Sequence, residues 1–324
     1  MFHNIRISNY KSIRALEFEA RRVNVFIGEP NSGKSNLLEA LAFFSSGTYD
    51  NKVFKEIFRF RKTPDLFFDR EVSKRIEVKA DDLSFSLKFS PPKSFEAEIL
   101  QGRKVSRKLM LSSAGMIPFE KPVKDPSFGV GYFRFKPLLR FTDQNMEAIR
   151  PPFGSNLVAI LSTNQNLRRR VSDLFKTKGF RLLLDPLESE LAIAKEVEDQ
   201  LLSHPYESVS ETLKRVVFFM AILETCSNTA LLLDEPEANT FPFYTAYLAE
   251  RIALDESNQF FLTTHNPYIL SSIVGKTLEK DLAVFVTTME GFATKVTPVS
   301  ANGLARILDY GPDAFLNLDK LVEA

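Results

Sequence analysis

Polar and apolar residues alternate along much of the first third of the chain. Asn4-Ile-Arg-Ile-Ser8, Arg75-Ile-Glu-Val-Lys79 and Leu83-Ser-Phe-Ser-Leu-Lys-Phe89 place an apolar side chain at every second position. Phe95-Glu-Ala-Glu-Ile-Leu100 and Val105 to Leu111 continue that character across Gln101-Gly102. Period two predicts strands with one buried face. Ile13, Leu16 and Phe18 extend the first strand into a hairpin. A different pattern marks Arg22-Val-Asn-Val-Phe-Ile27, Ala230-Leu-Leu-Leu233, Gln259-Phe-Phe-Leu-Thr263 and Asp281-Leu-Ala-Val-Phe-Val286. These short, nearly continuous apolar runs predict buried strands.

Helical spacing appears in Asn36 to Phe44, ending at a break over Ser45-Ser-Gly-Thr48. It returns across residues 145–178, in the stripe Leu213, Val216, Val217, Met220, Ala221 and Leu223, and in Gly303 to Leu308. Phe180 to Asp185 and Leu191 to Ala194 fit a hairpin, with a helix over 188–203 as the alternative. Pro91-Pro92, Pro118, Pro122 and Pro126 predict turns. The pattern therefore describes a core of buried strands with helices, beside a smaller antiparallel sheet.

Composition narrows the class without deciding it. The 324 residues are 44% hydrophobic and 26% charged, ordinary for a folded chain, and they suffice for one large domain or two lobes. A net charge of +1 excludes a global field that would draw the protein onto nucleic acid or an anionic membrane. Cys226 is the only cysteine, which excludes an internal disulfide framework and a multi-cysteine zinc site. As a lone thiol closing an apolar helix it reads as core filling. His3, His204 and His265 are far apart in sequence. With no run of 18 apolar residues and no leader-like start, the expectation is a soluble, cytoplasmic protein with no membrane partner. There are 30 phenylalanines and no tryptophan. Phe54, Phe58, Phe60, Phe67 and Phe68 are either core or a sticky partner surface.

Three stretches carry chemistry. Gly28-Glu-Pro-Asn-Ser-Gly-Lys-Ser35 fits G-x-x-x-x-G-K-[ST] between a strand and a helix. Its glycines let the backbone turn with N–H groups facing inward, a nest for phosphate oxygens at a helix N-terminus. Gly28, Glu29, Pro30, Asn31, Ser32, Gly33, Lys34, Ser35 and Asn36 are therefore candidate nucleotide contacts. Lys34 reaches the β- and γ-phosphates, and Ser35 is placed to ligate Mg²⁺. Ala230 to Leu233 delivers Asp234 and Glu235 at a strand's C-terminal end, where open α/β sheets bind ligands. Asp234 is a candidate metal ligand and Glu235 a candidate base for a water aimed at the γ-phosphate. His265 follows another buried strand, placed to donate a hydrogen bond to the γ-phosphate or to the attacking water.

Taken in order, these stretches resemble the ABC-type ATPases of the RecF, SMC and OLD kind, and in particular their compact single-chain AAA-family members. Ile7 to Ile13 resembles the group's first strand and turn. GEPNSGKSNLLEAL (28–41) is similar to its Walker A and helix, LLLDEPEA (231–238) to its Walker B, and TTHNPYIL (263–270) to its switch-histidine segment. The resemblance implies an α/β P-loop NTPase of ABC-ATPase type. Its core sheet would be mixed and mostly parallel, flanked by helices, with a smaller antiparallel β lobe and a helical insertion. Across a single domain of 1–324 it implies an antiparallel β-rich lobe at 46–145, a helical or hairpin insertion at 146–205, and a signature–Walker B–switch lobe at 206–324. It also implies ATP and Mg²⁺ as cofactors and a homodimer formed on ATP binding, in which Ser208 and Ser210 meet ATP held by the other subunit. The signature stretch Tyr206 to Leu213 lacks the family's glycine and carries Glu211 near its place, so hydrolysis is expected to be slow. No Q-loop glutamine is assignable, and the chain has neither a Toprim nuclease segment nor coiled-coil arms.

The leading expectation is Mg²⁺-dependent ATP binding and slow hydrolysis coupled to dimerisation. The family points to DNA repair or defence against phage and mobile elements, with a separate effector or nuclease as partner. One alternative is a nucleic-acid clamp reset by hydrolysis, using Arg59 to Lys62, Arg103 to Lys108 and Arg168 to Arg170 on DNA phosphates. Another is an ATP-switched scaffold for a partner protein. A small-molecule kinase is the remaining contrast.

Overall fold

The computed structural model describes residues 1–116 and 128–322, so the turns expected at Pro118, Pro122 and Pro126 lie outside the described residues. The strands are β1 (Asn4–Tyr10), β2 (Ile13–Glu19), β3 (Val23–Ile27), β4 (Ile76–Ala80), β5 (Leu83–Ser90), β6 (Ser94–Gln101), β7 (Lys104–Ser112), β8 (Gly115–Met116), β9 (Val130–Phe133), β10 (Arg181–Asp185), β11 (Glu190–Val197), β12 (Gln200–Pro205), β13 (Ala230–Asp234), β14 (Gln259–Thr263), β15 (Leu282–Glu290) and β16 (Ala293–Pro298). The helices are α1 (Lys34–Ala42), α2 (Asn51–Phe58), α3 (Leu157–Thr163), α4 (Gln165–Lys176), α5 (Glu211–Thr225), α6 (Pro242–Leu254), α7 (Pro267–Lys276), α8 (Ala301–Tyr310) and α9 (Leu318–Val322).

The continuous apolar runs form the core sheet, in the order β16-β15-β3-β14-β13-β9. Every neighbouring pair from β15 to β9 is parallel, and only β16 runs antiparallel at the edge. Residues of these strands alternate between two hydrophobic clusters. Phe26, Leu232 and Phe261 face one; Val25, Leu231 and Leu262 face the other. Burial on both faces explains why these strands read as unbroken apolar runs.

The alternating segments form an antiparallel sheet in the order β2-β1-β4-β5-β6-β7-β8. It includes the β1–β2 hairpin and is packed on one face only, as period two requires. Ile5 and Ile7 are buried with Arg6 exposed between them, and Phe85 and Leu87 repeat the pattern on β5. α1 lies between the two sheets, touching β1 on one side and β9, β13 and β14 on the other.

Phenylalanine fills that junction. The Phe43 ring stacks on Phe58 at 4.2 Å and on Phe85 at 4.1 Å. Phe54, Phe60, Phe67 and Phe68 are buried as well, so the aromatic segment 54–68 is core and offers no docking surface. The expected break at Ser45–Thr48 is a 3₁₀ turn, in which the Ser45 and Ser46 hydroxyls donate to the carbonyls of Ala42 and Phe43.

Two expectations are corrected between residues 145 and 205. Helix begins only at Leu157, because Pro151 and Pro152 interrupt the pattern and the buried Asn156 amide organises a loop. Asn156 accepts from the Arg150 N–H at 2.8 Å and donates to the carbonyls of Asn145 and Ala148. The helix alternative over 188–203 fails too: β10, β11 and β12 form an antiparallel sheet. Glu198 and Asp199, at φ 49° and 65°, make the two-residue turn between β11 and β12, a conformation suited to a hairpin.

Candidate functional site

Between β3 and α1 the chain makes the turn that the glycine spacing predicts, with φ of 150° at Gly28, 61° at Asn31 and 96° at Gly33. A β-carbon on Gly28 would lie 2.2 Å from the Thr287 carbonyl oxygen, and one on Gly33 would lie 2.0 Å from Thr294 Oγ1. Neither position tolerates a side chain, because the loop is clamped from outside. Ser12 Oγ and Thr294 Oγ1 share a 2.7 Å hydrogen bond, and Asn36 Nδ2 donates to Ser12 Oγ at 2.8 Å. The β1–β2 turn and the β15–β16 hairpin thus brace the loop from two sides.

A cavity of about 590 Å³ opens over this loop, bounded by Pro30, Asn31, Gly33, Lys34, Ser35 and Asn36 on one wall and by Glu235 and His265 on another. The Lys34 ammonium donates to the carbonyls of Gly28 (2.9 Å) and Glu29 (2.8 Å), with Ser32 Oγ at 3.4 Å. Ser35 Oγ donates to Asp234 Oδ1 at 3.0 Å. Glu235 takes a left-handed backbone, φ 47°, and its Oε1 lies 3.4 Å from His265 Nε2. Residues about 200 positions apart in sequence thus meet at the C-terminal edge of the parallel strands.

Burial lowers the Lys34 pKa to about 8, against the pull of Glu235 and Asp234. Desolvation first, then the Lys34 charge, lower that of His265, while Glu235 and Asp234 oppose. The imidazole is therefore neutral at pH 7. If Lys34 binds phosphate as its sequence motif implies, the protonated ammonium is the form that does so. Nucleotide affinity is thus expected to be level below pH 8 and to fall above it, by up to about tenfold per pH unit. Calorimetric titration across that range checks this; constant affinity from about pH 7 to 9.5 contradicts it.

Two family profiles match successive parts of the chain. One is described as "AAA ATPase domain", over residues 1–111, and the other as "AAA domain, putative AbiEii toxin, Type IV TA system", over residues 127–271. The chain is an AAA-type ATPase domain. Among solved structures, an SMC head bound to the C-winged helix domain of ScpA aligns with a TM-score of 0.54 and 14% identity, covering 93% of this chain and 98% of that one. An SMC head domain from Thermotoga maritima aligns at a TM-score of 0.43 and 13% identity, over 93% and 99% of the two chains. The first likeness establishes an SMC-type head fold for this ATPase domain. No curated protein matches the sequence.

Several residues at or beside the Lys34 cavity were not expected there from the sequence. Thr263, the last residue of β14, donates to Asp234 Oδ1 at 2.8 Å and accepts from the Glu235 N–H at 3.0 Å. One hydroxyl thereby ties the Asp234 carboxylate to the Glu235 backbone. Lys11, Arg59 and Asp65 also line the cavity. The first two form ion pairs with Glu39, a fully buried carboxylate on α1 that also accepts from Tyr10. Arg59, a candidate DNA contact under the alternative clamp reading, lines the Lys34 cavity instead. The only sequence signal for this cluster was a glutamate within an apolar helix.

Ser208 and Ser210 stand apart from the cavity that holds Lys34. They line a second one, of about 470 Å³, with Phe241 and Tyr244. Ser210 caps α5, accepting from the Leu213 N–H, and Ser208 donates to the Pro205 carbonyl. The Glu211 carboxylate is held by Arg215 at 3.2 Å and Asn239 at 3.4 Å. Of the remaining basic runs, Arg168 donates to the carbonyls of Leu161 and Ser162, Arg170 pairs with Glu224, and Lys108 pairs with Glu98. Arg103 and Lys104 are exposed at the β6–β7 turn. The Cys226 thiol is half-buried and pushed up to about 12 by desolvation, consistent with packing and not with nucleophilic use. Among the described residues no cluster of three or more His, Cys, Asp or Glu forms a metal site, and no helix is long and apolar enough to cross a membrane.

Proposed function

We propose that this ATPase domain binds Mg²⁺·ATP in the Lys34 cavity and hydrolyses it slowly, in a cycle linked to dimerisation. The observation that carries the reading is the meeting of Lys34, the Ser35–Asp234 pair and the Glu235–His265 pair around one cavity. The loop N–H groups and the Lys34 ammonium hold the β- and γ-phosphates. Ser35 and Asp234 together offer hard oxygen donors of the kind Mg²⁺ takes alongside phosphate, and the bound ion would neutralise charge on the phosphates. Glu235 accepts a proton from the attacking water, and the neutral His265 ring supports charge on the γ-phosphate. Ser208 and Ser210 are exposed outside the Lys34 cavity, which supports a role toward nucleotide on a second copy.

Defence against mobile elements, with a separate effector, is the pathway we favour over DNA repair. The description of the second profile supports it, and Arg168, Arg170 and Lys108 are engaged with groups of this chain. That an aligned SMC head is bound to a winged-helix domain supports a partner-binding role for this domain. Incubation with Mg²⁺·ATP is expected to yield ADP and free phosphate in equal amounts, and no product with EDTA. ADP without free phosphate would mark a kinase instead.

A further inference from the structure

The segments that carry Glu235 and His265 are joined beneath the cavity by a second pair of side chains. Glu237 follows Glu235 by two residues in the turn after β13, and its side chain is only 4% exposed. Its Oε1 accepts a short hydrogen bond from Thr264 Oγ1. Thr264 directly precedes His265 and is fully buried. Its backbone N–H donates to the Phe26 carbonyl at the end of β3 (3.2 Å), and its Oγ1 accepts from the Asn266 N–H at 2.9 Å. The turn is pinned from the other side, where Thr240 donates to the Glu237 carbonyl through both its N–H (3.0 Å) and its hydroxyl (2.6 Å).

Neither Glu237 nor Thr264 lines the nucleotide cavity. Glu237 Oε2 is buried and has no hydrogen-bond partner among the described residues. Desolvation pushes the carboxyl up to about 7, with the Glu235 charge adding to the rise, while the Thr264 hydroxyl and then the Glu237 and His265 backbone N–H groups oppose it. Burying a carboxyl with one oxygen unsatisfied costs free energy that an apolar residue would avoid. Its bond to the Thr264 hydroxyl is one that an apolar residue cannot make.

We infer that Glu237 is a positioning residue: through Thr264 it fixes where the His265 ring stands relative to Glu235, and so governs the rate of water attack without touching the nucleotide. This rests on the roles proposed above for Glu235 and His265. It acts as a hydrogen-bond acceptor, a role that needs no charge.

The test compares Glu237→Ala, Glu237→Gln and Thr264→Val in the full chain, measuring kcat and KM for phosphate release and the affinity for a fluorescent ATP analogue. Misplacing the ring is expected to lower kcat in Glu237→Ala by about a hundredfold, because small displacements of reacting groups cost that much. KM and analogue affinity should stay within about threefold of the parent. Glu237→Gln keeps an amide oxygen facing Thr264 and should recover most of kcat. Thr264→Val keeps the shape, loses the hydroxyl and should reproduce the alanine loss. Glu237→Ala combined with His265→Ala should be no slower than His265→Ala alone. Full kcat in Thr264→Val, a glutamine variant as slow as alanine, or losses that multiply in the double variant would each overturn the inference. Should Glu237→Ala unfold, Thr264→Val and the glutamine variant still decide it. If Glu235→Gln turns over ATP like the parent, the site reading itself falls, which is a separable result.

Discussion

Lys34→Ala is expected to lower ATP affinity by roughly a hundredfold, the scale of a buried hydrogen bond to a charged group. Lys34 is 5% exposed, and its ammonium already donates to two loop carbonyls. A triphosphate offers charged acceptors in the same place, so the lysine exchanges neutral partners for ionised ones, which bind more strongly. Alanine also leaves the Gly28 and Glu29 carbonyls without that donor, at a cost of about 1–3 kcal/mol in stability if water does not replace it. Thermal unfolding measured beside calorimetric titration separates the two effects. A folded variant that binds ATP as tightly as the parent would remove the phosphate-loop assignment.

Glu235→Gln is expected to do the opposite, with binding retained and turnover reduced roughly 10²- to 10⁴-fold, the range for loss of a general base. Glutamine keeps the size and one oxygen of the side chain but accepts no proton from water at neutral pH. The Glu235 N–H bond to Thr263 belongs to the backbone, so the turn should survive the change. Rapid-quench measurement of ADP formation with saturating Mg²⁺·ATP gives the rate directly. Turnover equal to the parent would show that another group deprotonates the water.

Local signals made the three chemical stretches legible. The loop Gly28–Ser35, the acids Asp234 and Glu235, and His265 each sit at a strand end whose apolar run is visible in the sequence, and the structure brings them to one edge of one sheet. Strands β1, β2 and β4 to β7 of the larger antiparallel sheet were equally plain, because one-faced burial imposes period two. β9 was not, since Val130–Phe133 is four residues long and buried throughout, too short to show any period. The loop before α3 was read as helix because its organising contacts come from Asn156 reaching back to Asn145 and Ala148, which no helical spacing encodes.

The cationic part of the cavity lining was hidden for a related reason. Lys11 comes from the β1–β2 turn, Arg59 from the end of α2 and Glu39 from α1, and only the fold places them together. Both cations sit on left-handed backbone, φ 46° at Lys11 and 44° at Arg59, a cost that non-glycine residues bear when surrounding structure imposes it. The tie from Glu237 to Thr264 is also tertiary. Thr263, however, had a sequence clue, as a hydroxyl at the last position of a buried strand beside the acid-bearing one.

Light scattering on size-exclusion eluates of Glu235→Gln, with and without Mg²⁺·ATP, tests most directly whether nucleotide joins two copies of this domain. The expected result is the monomer mass without nucleotide and twice that mass with it, reverting when Lys34→Ala is added to the same chain. A mass that does not change on adding ATP, in a variant shown to bind it, would contradict the account.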